Sequence, residues 1–278
     1  MLIDTTLREG AQQFGTRFPQ AARRSLVDGL LALGVEEIEL GWVGQEGLAE
    51  LAGWAKKRVH KSGAATALSV WTPCREADIR AAADLGLDRV NMGVPVSDPH
   101  IELRLGMDRA ALQENLARAV LYAKLLGIPY LSVGLEDVSR TGQEAGLAAA
   151  GLAQAMGASR IRLADTVGIL APLETARLVE LFHQAMGGAG RKAALAVHCH
   201  DDLGMATANA ATALEAGADF ADASLLGLGE RAGIAATEEL AALLRVGVSR
   251  PLGDPASGTG RSPASLRLDQ GHFYRSEE

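Results

Sequence analysis

Apolar and polar positions along the chain form a repeating order of short apolar runs and longer amphipathic segments. The short runs are typical of buried strands, and the longer segments carry apolar residues at the spacing of a helix. We predict strands at Leu2–Thr5, Glu37–Leu40, Ala65–Val70, Arg89–Gly93, Tyr130–Gly134, Arg160–Ala164, Ala194–Val197 and Phe220–Ser224. Helices are predicted between them, for example over Gln20–Leu33, Arg109–Leu126, Leu173–Met186 and Ala206–Ala216.

Turns that contain glycine close several of these helices before the next strand begins. They are LGV at 33–35, LGL at 85–87, LGI at 126–128 and MGA at 156–158. Glycine accepts the left-handed backbone that ends many helices, so each turn indicates a helix followed by a strand. Strand–helix units that recur every ~30 residues favour a (β/α)8 TIM barrel. An open doubly wound sheet is the alternative, but no second block of composition interrupts the repeat.

The periodic pattern stops near residue 248. We therefore predict a catalytic barrel over residues 1–248 and an irregular C-terminal tail over residues 249–278. The tail is rich in Gly, Pro and Ser, a composition typical of segments that are disordered or draped over a folded domain.

Composition and charge limit the possible functions. A content of 48% hydrophobic and 22% charged residues indicates a folded chain, and the net charge of −7 argues against nucleic acid or an anionic membrane as a partner. No apolar run approaches the ~20 residues that span a bilayer. The first residues, MLIDTTLREG, lack the basic and apolar parts of a signal peptide. With two cysteines only, we expect a cytoplasmic protein without a disulfide framework.

The strand predicted at Ala194–Val197 is followed by His198, Cys199 and His200. Side chains alternate along a strand, so the two histidines point to one side and Cys199 points away, into packing. Paired imidazoles at a strand end are potential metal ligands. The alternative is a polar strand end with two surface histidines.

In a TIM barrel, the carboxyl ends of the strands carry the chemistry. Strands one and seven lie near each other across strand eight, so Glu9 is a reasonable third ligand beside the histidines. Two histidines and a carboxylate leave positions open on a divalent ion, which suits catalysis. The polar residues predicted at these ends are Arg8, Glu9, Glu39, Glu136, Asp137, Asp165, Thr166, His198, His200, Glu230 and Arg231.

Several motifs in order identify a resemblance that covers essentially the whole barrel. DTTLREGAQ at 4–12 and AVHCHDDLGMATAN at 196–209 resemble the family of isopropylmalate synthase, homocitrate synthase and hydroxymethylglutaryl-CoA lyase. VPVSDPHIELRLGMDR at 94–109, GLEDVSR at 134–140, RLADTVG at 162–168 and GLGERAG at 227–233 fit as well. The combination is most similar to homocitrate synthases, particularly the type that serves nitrogenase cofactor assembly.

The resemblance implies a Claisen condensation of acetyl-CoA with a 2-oxo acid, with 2-oxoglutarate giving homocitrate as the best candidate. It implies one divalent metal ion (Mg, Mn, Zn, Fe or Co) held by Glu9, His198 and His200. Arg8 matches the electrostatic catalyst. We expect a homodimer, and a separate subunit is an alternative partner.

The resemblance also assigns residues to the oxo acid. Gln12, His100 and Thr166 match substrate-binding positions, and Glu136, in the same pocket, is a candidate for the general base. Some homocitrate synthases carry an arginine for the distal carboxylate where this chain has Ser132. This chain would need another donor, and Arg104 and Arg140 are candidates that the sequence does not separate.

Other departures concern the acetyl group and the loop after strand eight. Synthases usually carry Asn where Ile234 stands, and Lys where Arg23 stands. They continue past the barrel with a histidine near an HVDG motif, which this sequence lacks. Lyases of the family use a cysteine in the loop after strand eight, and GLGERAG has none. The missing base could come from Glu136, from His272 in the tail, or from a partner.

Three functions are therefore consistent with the sequence. The first is a condensing acyltransferase of the homocitrate synthase type. The second is a retro-Claisen lyase similar to hydroxymethylglutaryl-CoA lyase. The third is a barrel subunit that is inactive without a partner supplying the missing region.

Overall fold

A computed structural model of the protein describes residues 1–246. Eight parallel strands form a closed barrel in chain order, and the last strand pairs with the first. The strands are β1 (Leu2–Asp4), β2 (Glu37–Trp42), β3 (Ala67–Pro73), β4 (Arg89–Pro95), β5 (Leu131–Glu136), β6 (Arg160–Asp165), β7 (Ala194–Cys199) and β8 (Phe220–Ala223). The predicted (β/α)8 barrel is confirmed, and the tail predicted at 249–278 lies outside the described residues.

One long helix follows each strand and packs on the outside of the barrel. The helices are α1 (Gln20–Leu33), α2 (Leu48–Ser62), α3 (Glu76–Asp84), α4 (Arg109–Leu125), α5 (Gln143–Met156), α6 (Pro172–Ala185), α7 (Ala206–Glu215) and α8 (Thr237–Val246). Helix α1 has the bounds predicted from its pattern. Gly34 and Gly157, at φ angles of 73° and 98°, end their helices in the left-handed region, as the glycine turns predicted. No helix within residues 1–246 has the length and apolar character needed to cross a membrane.

Several strands run further towards their carboxyl ends than their apolar runs predicted. Strand β2 continues to Trp42, β5 to Glu136 and β7 to Cys199. The prediction that Glu39 ends its strand is wrong, because Glu39 is fully buried in the middle of β2. In β7 the prediction stopped before His198, which is polar but buried, and which contacts Asp222 of β8.

Strands β2 and β6 show how this interior is built. In β2, Ile38 and Leu40 belong to the hydrophobic core under the helices, and Glu37 and Glu39 alternate with them on the inner face. Arg160 and Arg162 occupy the same inner positions in β6 and lie within ion-pair distance of the glutamates. In these two strands the outward face is apolar, and the inward face carries charge up towards the carboxyl ends of the strands.

Candidate active site

The turn after β1 places two charged residues at the mouth of the barrel. The carbonyl oxygen of Thr5 accepts hydrogen bonds from the backbone amides of Arg8 and Glu9, at 2.9 and 2.7 Å, and folds the chain back at once. Arg8 is 8% exposed and Glu9 2% exposed, and the two side chains pair with each other. A tight turn therefore buries an arginine and a glutamate side by side where the β1 strand ends.

Glu9, His198 and His200 form a compact buried cluster. One potential ligand atom from each residue lies within 4.8 Å of the others, and all three residues are buried. His198 Nε2 is 3.7 Å from Glu9 Oε2, and the two imidazole rings meet edge to face with centroids 5.0 Å apart. The Nδ1 atom of His200 is buried without a hydrogen-bond partner among residues 1–246. This donor set fits a divalent metal ion and leaves coordination positions open.

Asp222 of β8 orients His198. Its Oδ2 atom lies 2.9 Å from His198 Nδ1, so that the Nε2 atom faces Glu9. Burial, together with the neighbouring Arg8 guanidinium, lowers the pKa of His198 well below its usual value, and burial also lowers the pKa of His200. Both rings are therefore neutral at neutral pH, and a carboxylate behind a neutral imidazole is the usual support of a histidine ligand.

A glycine-rich loop after β8 closes over Glu9. The backbone amide of Glu230 donates to Glu9 Oε1 at 3.1 Å. Gly233 has a φ of 94°, and a Cβ there would lie 1.9 Å from the carbonyl oxygen of Gly227. A Cβ on Gly229 would lie 3.1 Å from Glu9 Cγ. These glycines let the backbone approach the carboxylate, which fixes Glu9 from the side opposite Arg8.

Arg8 joins the cluster to charges inside the barrel. Its Nε atom donates to Glu39 Oε2 at 2.6 Å, and Glu39 Oε1 accepts from Asn91 Nδ2 at 2.5 Å. Arg162 Nη1 lies 3.4 Å from Glu39 Oε1 and 3.1 Å from Asp222 Oδ2. The guanidinium of Arg8 is therefore held in one orientation beside Glu9, as an electrostatic catalyst needs to be.

Glu136, the last residue of β5, pairs with Arg104 across the same opening. Arg104 Nη1 donates to Glu136 Oε2 at 2.9 Å. Burial raises the pKa of Glu136, and the Arg104 guanidinium offsets part of this effect. Gly93 of β4 makes room for the carboxylate, because a Cβ there would lie 2.3 Å from Glu136 Oε1 and 2.7 Å from Trp71 Cζ2.

These groups surround one cavity of about 770 Å³, which includes the part open to solvent. Seven of the eight site residues predicted from the sequence line it: Arg8, Glu9, Gln12, Glu136, Thr166, His198 and His200. His100 does not line it, and its Nε2 atom lies 3.9 Å from Asp137 Oδ2. Thr166 Oγ1 accepts a hydrogen bond from the backbone amide of Asp137 at 2.8 Å, so the loops after β5 and β6 are joined beside the cavity.

The HMGL-like family matches residues 1–253. The chain belongs to the HMGL-like family. This membership confirms the resemblance drawn from the motifs. A homocitrate synthase from Frankia alni is 36% identical over 242 residues, which cover 87% of this chain and 66% of that enzyme. The chain therefore spans slightly less than two thirds of the length of that relative.

Two further proteins are similar to this HMGL-like chain, one in sequence and one in structure. The homocitrate synthase subunit alpha of Clostridium pasteurianum is 33% identical over 232 residues, which cover 84% of this chain and 83% of the relative. The crystal structure of a hydroxymethylglutaryl-CoA lyase from Pseudomonas aeruginosa matches with a TM-score of 0.76 at 23% identity, over 91% of this chain and 87% of that one. At this identity the structural match shows the shared barrel alone.

The HMGL-like site contains two residues that the sequence reasoning missed, Asp222 and Arg162. A signal for Arg162 was present, because Arg160 and Arg162 alternate with apolar residues in β6. A barrel strand is covered by helices on its outer face, so charges with this period point inward. Asp222 has the same position in the short strand β8, between alanines.

The structure also separates the two cations suggested for the distal carboxylate. Arg104 lines the cavity, whereas Arg140 pairs with Asp137 and does not line it. Ile234, where the resemblance predicts an asparagine in relatives, is 2% exposed and forms a backbone bridge with His200. The apolar side chain is thus buried, and its backbone is held next to that of His200.

Proposed function

We propose that this chain is a metal-dependent acyltransferase that condenses acetyl-CoA with a 2-oxo acid. The observation that carries the proposal is the arrangement of the Glu9–His198–His200 cluster, Arg8 and Glu136 around one cavity at the carboxyl end of a barrel in this family. The relatives named as homocitrate synthases support a 2-oxo acid as acceptor.

The chemistry of the acceptor belongs to the cluster and to Arg8. Glu9, His198 and His200 would hold a divalent ion, which when bound polarises the keto group as a Lewis acid. Arg8 keeps its charge at every accessible pH and is oriented by Glu39 and Glu9. It would donate hydrogen bonds to the oxygen on which negative charge develops as the new carbon–carbon bond forms.

Glu136 is our candidate for the base that removes a proton from the acetyl methyl group. Its raised pKa increases the proton affinity of its ionised form, which suits a general base. The carboxylate faces the cavity and is oriented by Arg104. Arg104 would keep it ionised until the substrate is in place.

We further propose 2-oxoglutarate as the acceptor and homocitrate as the product, with a role in nitrogenase cofactor assembly as in the synthases that the motifs resemble. Gln12 and Thr166 line the cavity and would contact the oxo acid. His100 would act from beside Asp137, at the edge of the site.

The test is metal analysis of the purified chain combined with a thiol-release assay over a panel of 2-oxo acids. Each assay contains a divalent metal, acetyl-CoA and one oxo acid, and free CoA is measured. We expect one bound metal per chain and CoA release with 2-oxoglutarate. Absence of CoA release with every oxo acid would count against the proposal, and cleavage of hydroxymethylglutaryl-CoA would replace it with the lyase reaction.

A second candidate is a barrel subunit that needs a partner chain. The observation that favours it is the relative named homocitrate synthase subunit alpha, of which this chain covers 83%. Around the mouth, Phe14, Leu203 and Leu226 are 102%, 58% and 79% exposed, an apolar border that a covering chain could bury. CoA release that appears only after addition of a second polypeptide would establish this candidate. A homodimer is our proposal for the assembly of the barrel itself, and sedimentation would test it.

A further inference from the structure

Arg162 of β6 is a buried cation with unused donors in the wall of the cavity. It is 4% exposed, and its Nη1 atom faces the carboxylates of Glu39 and Asp222. Its Nε and Nη2 atoms have no hydrogen-bond partner among residues 1–246. Leaving donors of a buried cation without partners is costly, so such a group indicates a ligand that will accept from it.

The other cations around the cavity differ from Arg162. Arg8 donates through Nε to Glu39 and through Nη1 to Glu9, on the side of the ligand cluster. Arg104 pairs with Glu136, and its side chain is 56% exposed. Arg162 thus combines deep burial, a place in the cavity wall and donors that the protein does not use.

The residue next to Arg162 in the cavity wall is a glycine. Gly134, which pairs with Arg162 between β5 and β6, also lines the cavity, and a Cβ there would lie 4.0 Å from Arg162 Cδ. Ser132 and Asn91 line the same cavity but are already bonded, Ser132 to Arg160 and Asn91 to Glu37, Glu39 and Arg160, so the unused donors there belong to Arg162. A carboxylate is the group that best matches the planar fork of a guanidinium.

Arg162 also lies close to the metal-ligand cluster. One oxygen atom, Asp222 Oδ2, contacts both His198 Nδ1 at 2.9 Å and Arg162 Nη1 at 3.1 Å. A short oxo acid with its keto end at the cluster could therefore reach Arg162 with its other end. An acid with a purely apolar chain would leave the Arg162 donors unpaired.

We infer that Arg162 binds the distal carboxylate of the acceptor and makes this site selective for dicarboxylic 2-oxo acids. The inference rests on the proposed function for the identity of the acceptor as a 2-oxo acid. Some homocitrate synthases carry the arginine for the distal carboxylate in β5, where this chain has Ser132. In this chain the inference gives that role to Arg162 of β6. It also makes Arg104 a partner of Glu136 rather than of the substrate.

The test is a binding measurement that needs no turnover. Calorimetry on the full-length chain with Mn²⁺ and without acetyl-CoA compares 2-oxoglutarate with 2-oxopentanoate, which has a methyl group where the distal carboxylate stands. We expect wild-type protein to bind 2-oxoglutarate about 100-fold more tightly, as charged hydrogen bonds allow. Equal affinity for the two acids, or no binding of either, would overturn the inference without any variant.

Two variants then locate the selectivity. Arg162→Met should reduce the ratio of affinities to within a few-fold of one and leave the affinity for 2-oxopentanoate unchanged. Arg162→Lys, which keeps the charge but not the fork, should give an intermediate ratio and guards against loss of folding in the methionine variant. Arg140→Met, a cation outside the cavity, is the matched control and should keep the wild-type ratio.

Arg104→Met tests whether Arg104, the other candidate cation in the cavity wall, binds the distal carboxylate instead of Arg162. Loss of selectivity in Arg104→Met with selectivity retained in Arg162→Met would overturn the inference.

The proposed condensation can fail independently of this inference. Selective binding that depends on Arg162, without CoA release in the thiol assay, would refute the reaction and leave the assignment of Arg162 intact.

Discussion

Two layers of charge lie inside the barrel, and they differ in how completely they are paired. The lower layer comprises Glu37, Arg89, Asn91, Ser132 and Arg160. Both oxygens of Glu37 accept hydrogen bonds, two of them from Arg160 at 2.8 and 3.0 Å, and Arg160 Nε donates to Ser132 at 3.1 Å. No side-chain nitrogen or oxygen in the lower layer is buried without a partner among the described residues.

The upper layer comprises Arg8, Glu9, Glu39, Arg162 and Asp222, with the two histidines above it. Here Nε and Nη2 of Arg162, Oδ1 of Asp222 and Nδ1 of His200 are buried without partners within residues 1–246. Buried polar groups are normally satisfied, so each exception needs an explanation, such as a ligand or an ion that would pair with it. The same barrel thus holds a saturated layer that stabilises the fold and an unsaturated layer that is prepared for ligands.

Removing a charge from the lower layer should have the largest effect. Glu37→Gln leaves Arg160, which is fully buried, without its counter-charge, and we expect a loss of about 3–5 kcal/mol in the free energy of unfolding. Denaturant unfolding measures it. Glu46→Gln, which breaks the exposed contact with Arg17, is the control and should change the stability little. A Glu37→Gln protein as stable as the control would show that the lower layer is not structural.

In the upper layer, Arg8→Ala should act on rate. Removing a donor aimed at developing charge typically lowers kcat by about 10²–10³-fold. Steady-state thiol release measures this, with metal content checked on the same sample. Arg140→Ala, outside the cavity, should keep normal turnover. Near-normal turnover of Arg8→Ala would remove Arg8 from the catalytic role.

The sequence predicted the barrel well because its outer face is apolar and its glycine turns are regular. It also predicted that Glu9, His198 and His200 lie together, since strand order alone brings the ends of β1 and β7 close. It did not predict the pairing inside the barrel. Glu37 contacts Arg160 and Glu39 contacts Arg162, in each case 123 residues away, and only the closed barrel brings these pairs opposite each other. Unused donors are a property of these contacts, so they could not be read from residue types.

Lowering the pH should reduce the stability that the lower layer contributes, over a defined pH range. Burial alone would raise the pKa of Glu37, but the guanidiniums of Arg160 and Arg89 outweigh it and bring the pKa to about 2, from 4.5. A carboxyl with a lowered folded pKa stabilises the protein above its unfolded pKa and loses that contribution as pH falls through the folded value. The stability difference between wild type and Glu37→Gln should therefore shrink by ~3 kcal/mol from pH 5 towards pH 2.

Denaturant unfolding of both proteins across this pH range gives the measurement. Glu46→Gln again serves as the control, since its difference from wild type should stay small at every pH. A difference that stays constant as the pH falls would mean that the charge of Glu37 does not stabilise the fold, whatever its hydrogen bonds.

The smallest predicted effect concerns Asp222, which contacts both His198 and Arg162 in the upper layer. Asp222→Asn keeps the shape of the side chain but removes the charge behind His198, so metal affinity should fall about 10–100-fold, as for other carboxylates that support histidine ligands. Competition with a chromogenic chelator measures this. Asp219→Asn is the matched control, because Asp219 lies just before the same strand and bonds the backbone amide of Leu195 at 2.8 Å, away from the cavity. If Asp222→Asn bound metal as tightly as Asp219→Asn, then Asp222 would serve only Arg162, and the two layers would differ in pairing without differing in function.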